Sequence, residues 1–406
     1  MSDKNLHQKL LTLNAGSSSI KFAIFSIPEL EQVLIGQIDG IGSVASFKAK
    51  NSDLSINVNY EWSKSNAPKT YGDALKCLIQ WLNVHIVDLE IKAVGHRVVH
   101  GGKFYSEPTL IDNQVLLKLE SLIALAPLHE PHNLSGIKAA KEAFGEIPQI
   151  ACFDTSFHRN QPFVNDTFAI PRYFYEEGVR RYGFHGLSYE FINQQIKKKF
   201  PQLVNGKVII LHLGNGASMC AIKSGQSIAS TMGFTALDGL PMGTRCGQID
   251  PGVLLYLMDY KGMSSKEISD LLYKESGLKG LSEISSDMRI LEATDSFFAK
   301  EAIDYFVSRI NREIGSLAMA LGGLDALIFT GGIGENSVHI RKEVLDSCSW
   351  LGVVIDDVFN QNSEMILSKH DSKILCLRIP TNEERMIAEH TLKLYQLSIS
   401  TQNPNL

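Results

Sequence analysis

The feature that most constrains the fold is a repeated hairpin pattern, in which two apolar, β-rich runs flank a turn of Gly and small hydroxyl residues. The first copy spans residues 10–25 (LLTLNAGSSSIKFAIF) and the second spans 208–225 (VIILHLGNGASMCAIKSG). At a constant offset of 200 positions, identical residues recur at Leu11, Leu13, Gly16 and Ser18 and at Leu211, Leu213, Gly216 and Ser218. The pattern indicates an internal duplication, although Gly/Ser hairpins also match one another by chance.

The length of 406 residues exceeds the roughly 300 residues over which one core keeps growing, so two domains are expected. Strands and helices alternate, which predicts an α/β fold with mixed sheets. The predicted strands are 93–99, 149–153, 326–329 and 373–379, and the predicted helices are 71–83, 113–125, 133–144, 265–275, 296–321 and one from about 382. The domains are predicted at 1–153, joined by a C-terminal helix at about 385–406, and at 154–384.

Composition excludes several classes of protein. The 39 basic and 44 acidic residues are intermixed and give a net charge of -5, so a nucleic-acid partner is not expected. No apolar run approaches the roughly 18 residues that a membrane span needs, and the N-terminus lacks a signal-peptide pattern. The six cysteines are scattered without C-x-x-C or zinc-ligand spacing, so they are expected to be reduced and mostly buried. We therefore expect a cytoplasmic protein.

Three Gly-rich turns that follow strands are candidates for phosphate binding: residues 14–19, 212–218 and 330–337 (TGGIGENS). In such turns the backbone N–H groups can hold phosphate oxygens because no side chain blocks their approach. One such turn is usually only a turn, but three in one chain indicate a phosphate-binding protein. None is a Walker A or G-x-G-x-x-G motif, which disfavours P-loop and Rossmann folds.

Phosphoryl transfer also needs cations and a metal-binding acid near the phosphate. Arg97, His185 and Arg245 each lie in a Gly-containing segment: GHRVVHGG, RRYGFHGLS and GLPMGTRCGQIDPG. Asp154 ends a predicted strand, where ligand-facing residues emerge in α/β sheets, although it could also be a turn residue. Near the C-terminus, Thr381 and Glu384 have capping-box spacing, which leaves Glu383 for a metal.

In their order along the chain, these motifs closely resemble the acetate kinase family: LNAGSSSIK, GHRVVHGG, FDTSFH, RYGFHGLS, HLGNGAS, MGTRCGQIDPG, SSDMR, GGIGENS and TNEE. The resemblance implies two duplicated, actin-like (ribonuclease H-like) domains with the nucleotide in an interdomain cleft, and a homodimer. It implies reversible in-line transfer of the γ-phosphoryl group from ATP to acetate, giving acetyl phosphate and ADP, with Mg²⁺ or alternatively Mn²⁺.

The resemblance also implies residue roles. Asn14 and Glu383 would associate with magnesium, while Asp154 would be the catalytic acidic residue, assisted by His185 and Arg245. The acetate site would comprise Arg97, Val99, Leu128 and Phe184. Nucleotide contacts would come from Lys21, His212, Leu213, Gly214, Asn215, Gly216, Asp287, Met288, Arg289, Gly332, Ile333, Gly334, Glu335 and Asn336.

Two points qualify this assignment. A carboxylate with a pKa of about 4 to 5 is already ionised at neutral pH, so Asp154 is expected to anchor magnesium or order water rather than accept a proton. Ala236 stands where many members of the family have proline in the acyl pocket, so a propionate or relaxed short-chain acyl kinase is an alternative. A sugar or glycerol kinase, or an actin-like ATPase without an acyl substrate, are the further alternatives.

Overall fold

The computed structural model describes residues 8–16, 18–86, 89–127 and 129–402. The strands are β1 Gln8–Ala15, β2 Ile20–Ser26, β3 Gln32–Asp39, β4 Ser46–Lys50, β5 Asn57–Glu61, β6 Glu90–Val98, β7 Thr109–Leu110, β8 Gln149–Phe153, β9 Lys207–Leu213, β10 Ala217–Lys223, β11 Gln226–Ser230, β12 Ala326–Thr330 and β13 Leu375–Arg378. The helices are α1 Tyr71–His85, α2 Asn113–Ser121, α3 Glu130–Phe144, α4 Phe163–Asp166, α5 Arg172–Glu177, α6 Gly186–Lys199, α7 Pro251–Asp259, α8 Ser265–Asp270, α9 Gly277–Ser282, α10 Met288–Glu292, α11 Phe297–Leu321, α12 Gly331–Asn336, α13 Val338–Ser347, α14 Asp357–Gln361 and α15 Glu383–Gln402.

The chain forms two compact units: the first unit comprises Met1–Ser156 and Asn382–Leu406, and the second unit comprises Phe157–Thr381. The sheet of the first unit has the order β5-β4-β3-β2-β1-β6-β8-β7. Strand β6 runs parallel to β1 and to β8, and the other neighbouring pairs are antiparallel. This is a mixed sheet, as the alternation of elements predicts.

The sheet of the second unit repeats the central part of the first. Its order is β11-β10-β9-β12-β13, with two antiparallel pairs followed by two parallel pairs. The segment β3-β2-β1-β6-β8 of the first sheet has the same order and the same directions. The matching hairpins of the sequence, β1–β2 and β9–β10, occupy equivalent positions in the two sheets, so the fold supports the predicted duplication.

Each unit buries its own apolar cores, as expected for separate compact units. In the first unit, alternate residues of the β1–β2 hairpin, such as Leu11 and Phe22, pack with helix α1 through Leu78. A further core beneath α2 and α3 includes Val98 and Phe153. In the second unit, one core forms where α6 packs on β9, β10, β12 and β13. These cores fix the strand ends from which the candidate site residues emerge.

Most of the predicted elements are confirmed, but their ends differ in places. The helix predicted at 113–125 ends at Ser121, and the one predicted at 265–275 is divided into α8 and a π-helical turn at Leu271–Glu275. The predicted capping box is wrong, because the Asn382 side chain accepts the Arg385 N–H at 2.8 Å and so caps α15. The Thr381 hydroxyl instead accepts a hydrogen bond from Ser188, 2.9 Å away.

The six cysteines all lie in the described residues and none forms a disulfide; four are buried and two are half-buried. Across residues 8–402, apart from the gaps given above, no helix combines the length and the apolar character required to cross a membrane.

Candidate active site

The first group of predicted site residues meets at one edge of the sheet in the first unit. Arg97 lies near the end of β6, Asn14 near the end of the neighbouring β1, and Asp154 directly after β8. The Arg97 guanidinium donates from Nη2 to Asp154 Oδ2 at 2.6 Å and from Nε to both carboxylate oxygens at 3.1 Å. Its Nη1 donates to Asn14 Oδ1 at 3.2 Å. Because the carboxyl ends of parallel strands share an edge, three residues distant in sequence form one cluster.

Charges around this cluster shift two pKa values. Burial by itself would lower the pKa of Arg97, but the negative charges of Asp154 and Glu383 raise it above its ordinary value. Burial raises the pKa of Glu383, and the charges of Arg97 and Lys21 oppose that rise while that of Glu384 adds to it. Asp154 is 1% exposed, so its ion pair with Arg97 is shielded from solvent. Arg97 is therefore held as a cation in a fixed position.

The predicted acyl-pocket residues are found in both units. Val99 directly follows β6 and is buried, and its N–H donates to Asn133 Oδ1 at 3.0 Å. Asn133, on α3, also donates to the carbonyl of Ala15 at 3.2 Å and so ties α3 to the ends of β1 and β6. Leu128 lies outside the described residues. Phe184 is buried in the second unit, where its carbonyl contacts His158 Nε2 at 2.9 Å.

His185 is the N-cap residue directly before helix α6 and has a left-handed backbone conformation, with φ of 56°. Its Nδ1 lies 2.8 Å from the hydroxyl of Ser218 on β10, and its ring stacks on His212 with centroids 4.3 Å apart. These contacts fix the imidazole at the carboxyl end of β9. A positive φ is uncommon for a residue other than glycine and is often found in functional loops. The glycines near His185 in the sequence also indicate a shaped loop.

Arg245 lies close to the same turn. A Cβ atom on Gly216 would lie 3.4 Å from His185 Nε2 and 3.5 Å from Arg245 Nη2, so the glycine leaves room between two candidate catalytic side chains. Arg245 Nη1 donates to the carbonyl of Ala236 at 2.7 Å. Ala236, the residue at which the sequence departs from the pattern of the resembled family, thus contacts Arg245 through its main-chain carbonyl.

The predicted nucleotide residues of the second unit line a cavity of about 630 Å³, a size suited to a small organic ligand. Eight of its lining residues are predicted contacts: Gly214, Asn215, Asp287, Met288, Arg289, Gly332, Ile333 and Asn336. Asp287 accepts the Arg289 N–H as the cap of α10, and its carboxylate pairs with the Arg289 guanidinium at 2.6 Å. The hydrogen bond from the Arg289 side chain lowers the pKa of Asp287 and keeps the carboxylate ionised.

Helix α12, Gly331–Asn336, is held in place by contacts from β9 and from the side chains of Glu335 and Arg341. Gly331 has φ of +77°, and a Cβ there would meet the carbonyl of Leu213 at 2.7 Å, so the close approach of β9 requires glycine. The Glu335 carboxylate accepts the N–H groups of Gly331 at 2.9 Å and of Thr381 at 3.1 Å. Buried Arg341 donates to the carbonyls of Gly334 and Glu335 at 3.1 and 2.9 Å. The conformation of α12 and of the turn that leads into it is therefore preorganised.

Not every predicted nucleotide residue lines this cavity. Five of them support the cavity from the end of β9, the turn after β9 and helix α12: His212, Leu213, Gly216, Gly334 and Glu335. Lys21 lies on β2 in the first unit. Three lining residues were not among the predicted nucleotide contacts: Ser286 and Ser337, which lie in the motifs SSDMR and TGGIGENS, and Glu292, which lies in neither. Glu292 follows Met288 by four positions on α10, so the helical period could have identified it.

A magnesium site fits Asn14 and Glu383 by ligand chemistry. Both offer oxygen atoms, which Mg²⁺ prefers, and the ion usually keeps several waters and takes only one or two carboxylates. The described part of the chain holds no cluster of three His, Cys, Asp or Glu residues. The raised pKa of Glu383 reflects a carboxylate whose burial a divalent cation would offset.

Comparison with known proteins agrees with the resemblance. The model of the acetokinase family matches residues 9–389. The acetate kinase of Methylocella silvestris is 52% identical over 95% of this chain and 97% of its own length. Among solved structures, a propionate kinase from Francisella tularensis aligns with a TM-score of 0.89 at 38% identity, covering 95% of this chain and 99% of that one. The Porphyromonas gingivalis acetate kinase aligns at 0.86 and 35% identity, with the same coverage.

Proposed function

Because the chain belongs to the acetokinase family, we propose that it transfers the γ-phosphoryl group of ATP reversibly to acetate, forming acetyl phosphate and ADP. The observation that carries this proposal is the 52% identity over 95% of the chain with a protein curated as acetate kinase. The fold and the clusters described above are compatible with this reaction, in which the oxygen of a carboxylate attacks the γ-phosphorus in line.

Arg97 is the residue that we assign to the substrate carboxylate or the transferring phosphoryl group. Its guanidinium is always charged and offers planar, paired donors to either group. Asp154 pairs with it through Nη2 and Nε, which supports a positioning role for Asp154 over the role of magnesium anchor suggested by the sequence. Acetate is ionised at neutral pH, so the reaction requires no general base.

For the metal we propose Mg²⁺, or alternatively Mn²⁺, held by Asn14 and Glu383. A divalent ion held there with ATP would supply positive charge to the phosphate groups. Asn14 Oδ1 accepts a hydrogen bond from Arg97. The residue proposed to hold the metal therefore also orients the arginine that we assign to the substrate. Lys21, directly opposite Asn14 in the β1–β2 register, is assigned to the nucleotide's phosphates.

For the nucleotide we propose the 630 Å³ cavity of the second unit. Its Gly214, Gly332 and Ile333 provide backbone and apolar contacts, while Asp287 and Asn336 provide polar groups. His185 and Arg245, which flank Gly216, are assigned to the charge that develops on the transferring phosphoryl group. We assign the acyl methyl group to Val99, Leu128 and Phe184.

A second candidate substrate is propionate. Ala236 is smaller than the proline of many family members, and a solved structure at 38% identity is that of a propionate kinase. One additional methylene in an apolar pocket changes binding by only about 1 to 3 kcal/mol, so both acids could be substrates. Hydroxylamine trapping of the acyl phosphate across formate, acetate, propionate and butyrate tests this. The highest kcat/KM should be found with acetate, and a highest value with propionate would favour the second candidate.

We also propose a homodimer formed through the second unit. Helix α7 is apolar but has no buried residue, and its side chains Val253, Leu255, Tyr256 and Met258 and the adjacent Tyr260 are 40 to 83% exposed. Contiguous exposed apolar patches of this kind mark protein interfaces. We further propose a cytoplasmic location, which the six cysteines without disulfides fit, and domain limits of 1–153 with 385–406, and 154–384.

A further inference from the structure

A row of polar residues crosses the sheet of the first unit, beginning at the Arg97 cluster. Each residue is directly opposite the next in the strand register, so all lie on one face. The row runs Asn14, Lys21, Gln37, Lys48 and Asn59 across β1 to β5. Because strands are about 4.8 Å apart, Lys48 lies about 14 Å along the row from Asn14. This row extends beyond the residues that the proposed phosphoryl transfer uses.

The outer part of the row lines a trough of about 600 Å³ on this face of the sheet. Its lysines are Lys21, Lys48 and Lys50, and the last is in the neighbouring row opposite Ile35 and Asn57. Ile35 contributes an apolar wall, and Gln37 with Asn57 and Asn59 provides amides. Glu384, in the first turn of α15, is the one carboxylate among the described lining residues.

In the described lining of the trough, the lysines outnumber the carboxylates and are not held in ion pairs. Among the described residues, Lys21, Lys48 and Lys50 form no ion pair, whereas other lysines such as Lys92 and Lys138 do. Like charges on one face of a sheet repel each other and destabilise it. Three ammonium groups facing one carboxylate across a concave surface concentrate a positive field, which attracts anions. Core packing does not explain the presence of these lysines, because Lys48 and Lys50 are exposed.

We propose that this trough binds a compact polyanion that carries more than one phosphate group. The backbone positions of these lysines, on alternate strands and at alternate positions of β4, are about 7 to 10 Å apart. The trough of about 600 Å³ therefore has room, and cations spread along it, for more than one phosphate group. A short chain of phosphates, or a metabolite with two phosphate groups, spans that distance. The amides of Asn57 and Asn59 can donate further hydrogen bonds to its oxygens. The amide of Gln37 already donates to Asp39. This inference does not depend on the identity of the acyl substrate.

The test uses tripolyphosphate as the probe, titrated calorimetrically into the full-length protein with EDTA present. The double variant K48A/K50A should bind the probe at least about tenfold more weakly than the wild type, since two charge-assisted contacts are lost. K48R/K50R should retain binding. The matched control K64A/K69A removes two exposed lysines of the same unit and should bind like the wild type.

Wild-type affinity in K48A/K50A would overturn the proposal, and so would equal weakening in K48A/K50A and K64A/K69A, which would indicate an effect of net charge alone. Circular dichroism checks folding, and K48Q/K50Q provides a second neutral pair with longer side chains. Because no acetate or turnover is involved, failure of this binding experiment is distinct from failure of the proposed kinase activity, which is assayed separately with acetate and MgATP.

Discussion

Glu130 is a buried carboxyl group to which no step of the proposed reaction assigns a role. It is the first residue of α3 and is 0% exposed. Among the described residues, neither of its carboxylate oxygens has a hydrogen-bond partner of normal geometry. Burial raises its pKa from 4.5 to about 8, and the nearby N–H of His100 opposes the rise only in part. The group is therefore neutral at pH 7 in the folded protein.

This raised pKa predicts how the stability of the first unit depends on pH. Below pH 4.5 the carboxyl is protonated in both the folded and the unfolded chain, and no penalty exists. Between pH 4.5 and about 8 the unfolded chain ionises while the folded one stays protonated, so the free energy of unfolding falls. The full penalty above pH 8 is about 5 kcal/mol, from about 1.4 kcal/mol for each pKa unit.

Glu130→Gln removes this titration at nearly constant volume. Relative to the wild type, the variant should gain about 4 kcal/mol in unfolding free energy between pH 5 and pH 8.5. Urea unfolding followed by the fluorescence of Trp62 and Trp81, which pack in the first unit, measures the difference. Glu142→Gln changes an exposed carboxyl of the same helix and should parallel the wild type. Parallel pH profiles for Glu130→Gln and the wild type would refute the reasoning.

Three further substitutions test the site. Asp154→Asn should lower kcat and raise the KM for acetate by releasing Arg97, with the apparent magnesium affinity unchanged; a selective loss of that affinity would favour the magnesium-anchor role. Arg245→Lys should lower kcat at least about 100-fold, because an ammonium cannot replace the guanidinium fork, and near-normal turnover would count against this. Arg341→Met should raise the KM for ATP while leaving that for acetate unchanged, because two carbonyls of α12, which we assign to the nucleotide site, lose their donor; equal changes in both KM values would contradict that assignment.

The parts of the fold that depend on local pattern were predictable from the sequence. The hairpins at Gly16 and Gly216 show apolar, β-rich runs around a Gly/Ser turn, and helix α11 shows a long 3.6-residue period. The end of α2 was not, because Leu122 and Leu125 continue the apolar pattern although the chain turns there. Neighbouring strands bring together residues that are far apart in the sequence. The side-chain contacts of Arg97 could therefore not be predicted from its neighbours in the sequence.

In the candidate site, too, local sequence patterns predicted the residues but not their contacts. Its individual residues came from motifs, but the pairing of Arg97 with Asp154 requires the order of β1, β6 and β8, which no local pattern encodes. The capping residue of α15 was misassigned because Thr381 and Asn382 are both good caps, and tertiary contacts of Thr381 with Ser188 decide between them. The buried state of Glu130 depends on how α3 packs, and a glutamate at a helix start is normally exposed.

The central claim is that acetate accepts the phosphoryl group. Phosphorus NMR of the purified full-length protein with MgATP and acetate tests it most directly. We predict that an acetyl phosphate signal grows in step with ADP, that omission of acetate abolishes both, and that acetyl phosphate with ADP regenerates ATP. Hydrolysis of ATP to ADP and inorganic phosphate at a rate independent of acetate, without an acyl phosphate signal, would contradict the claim.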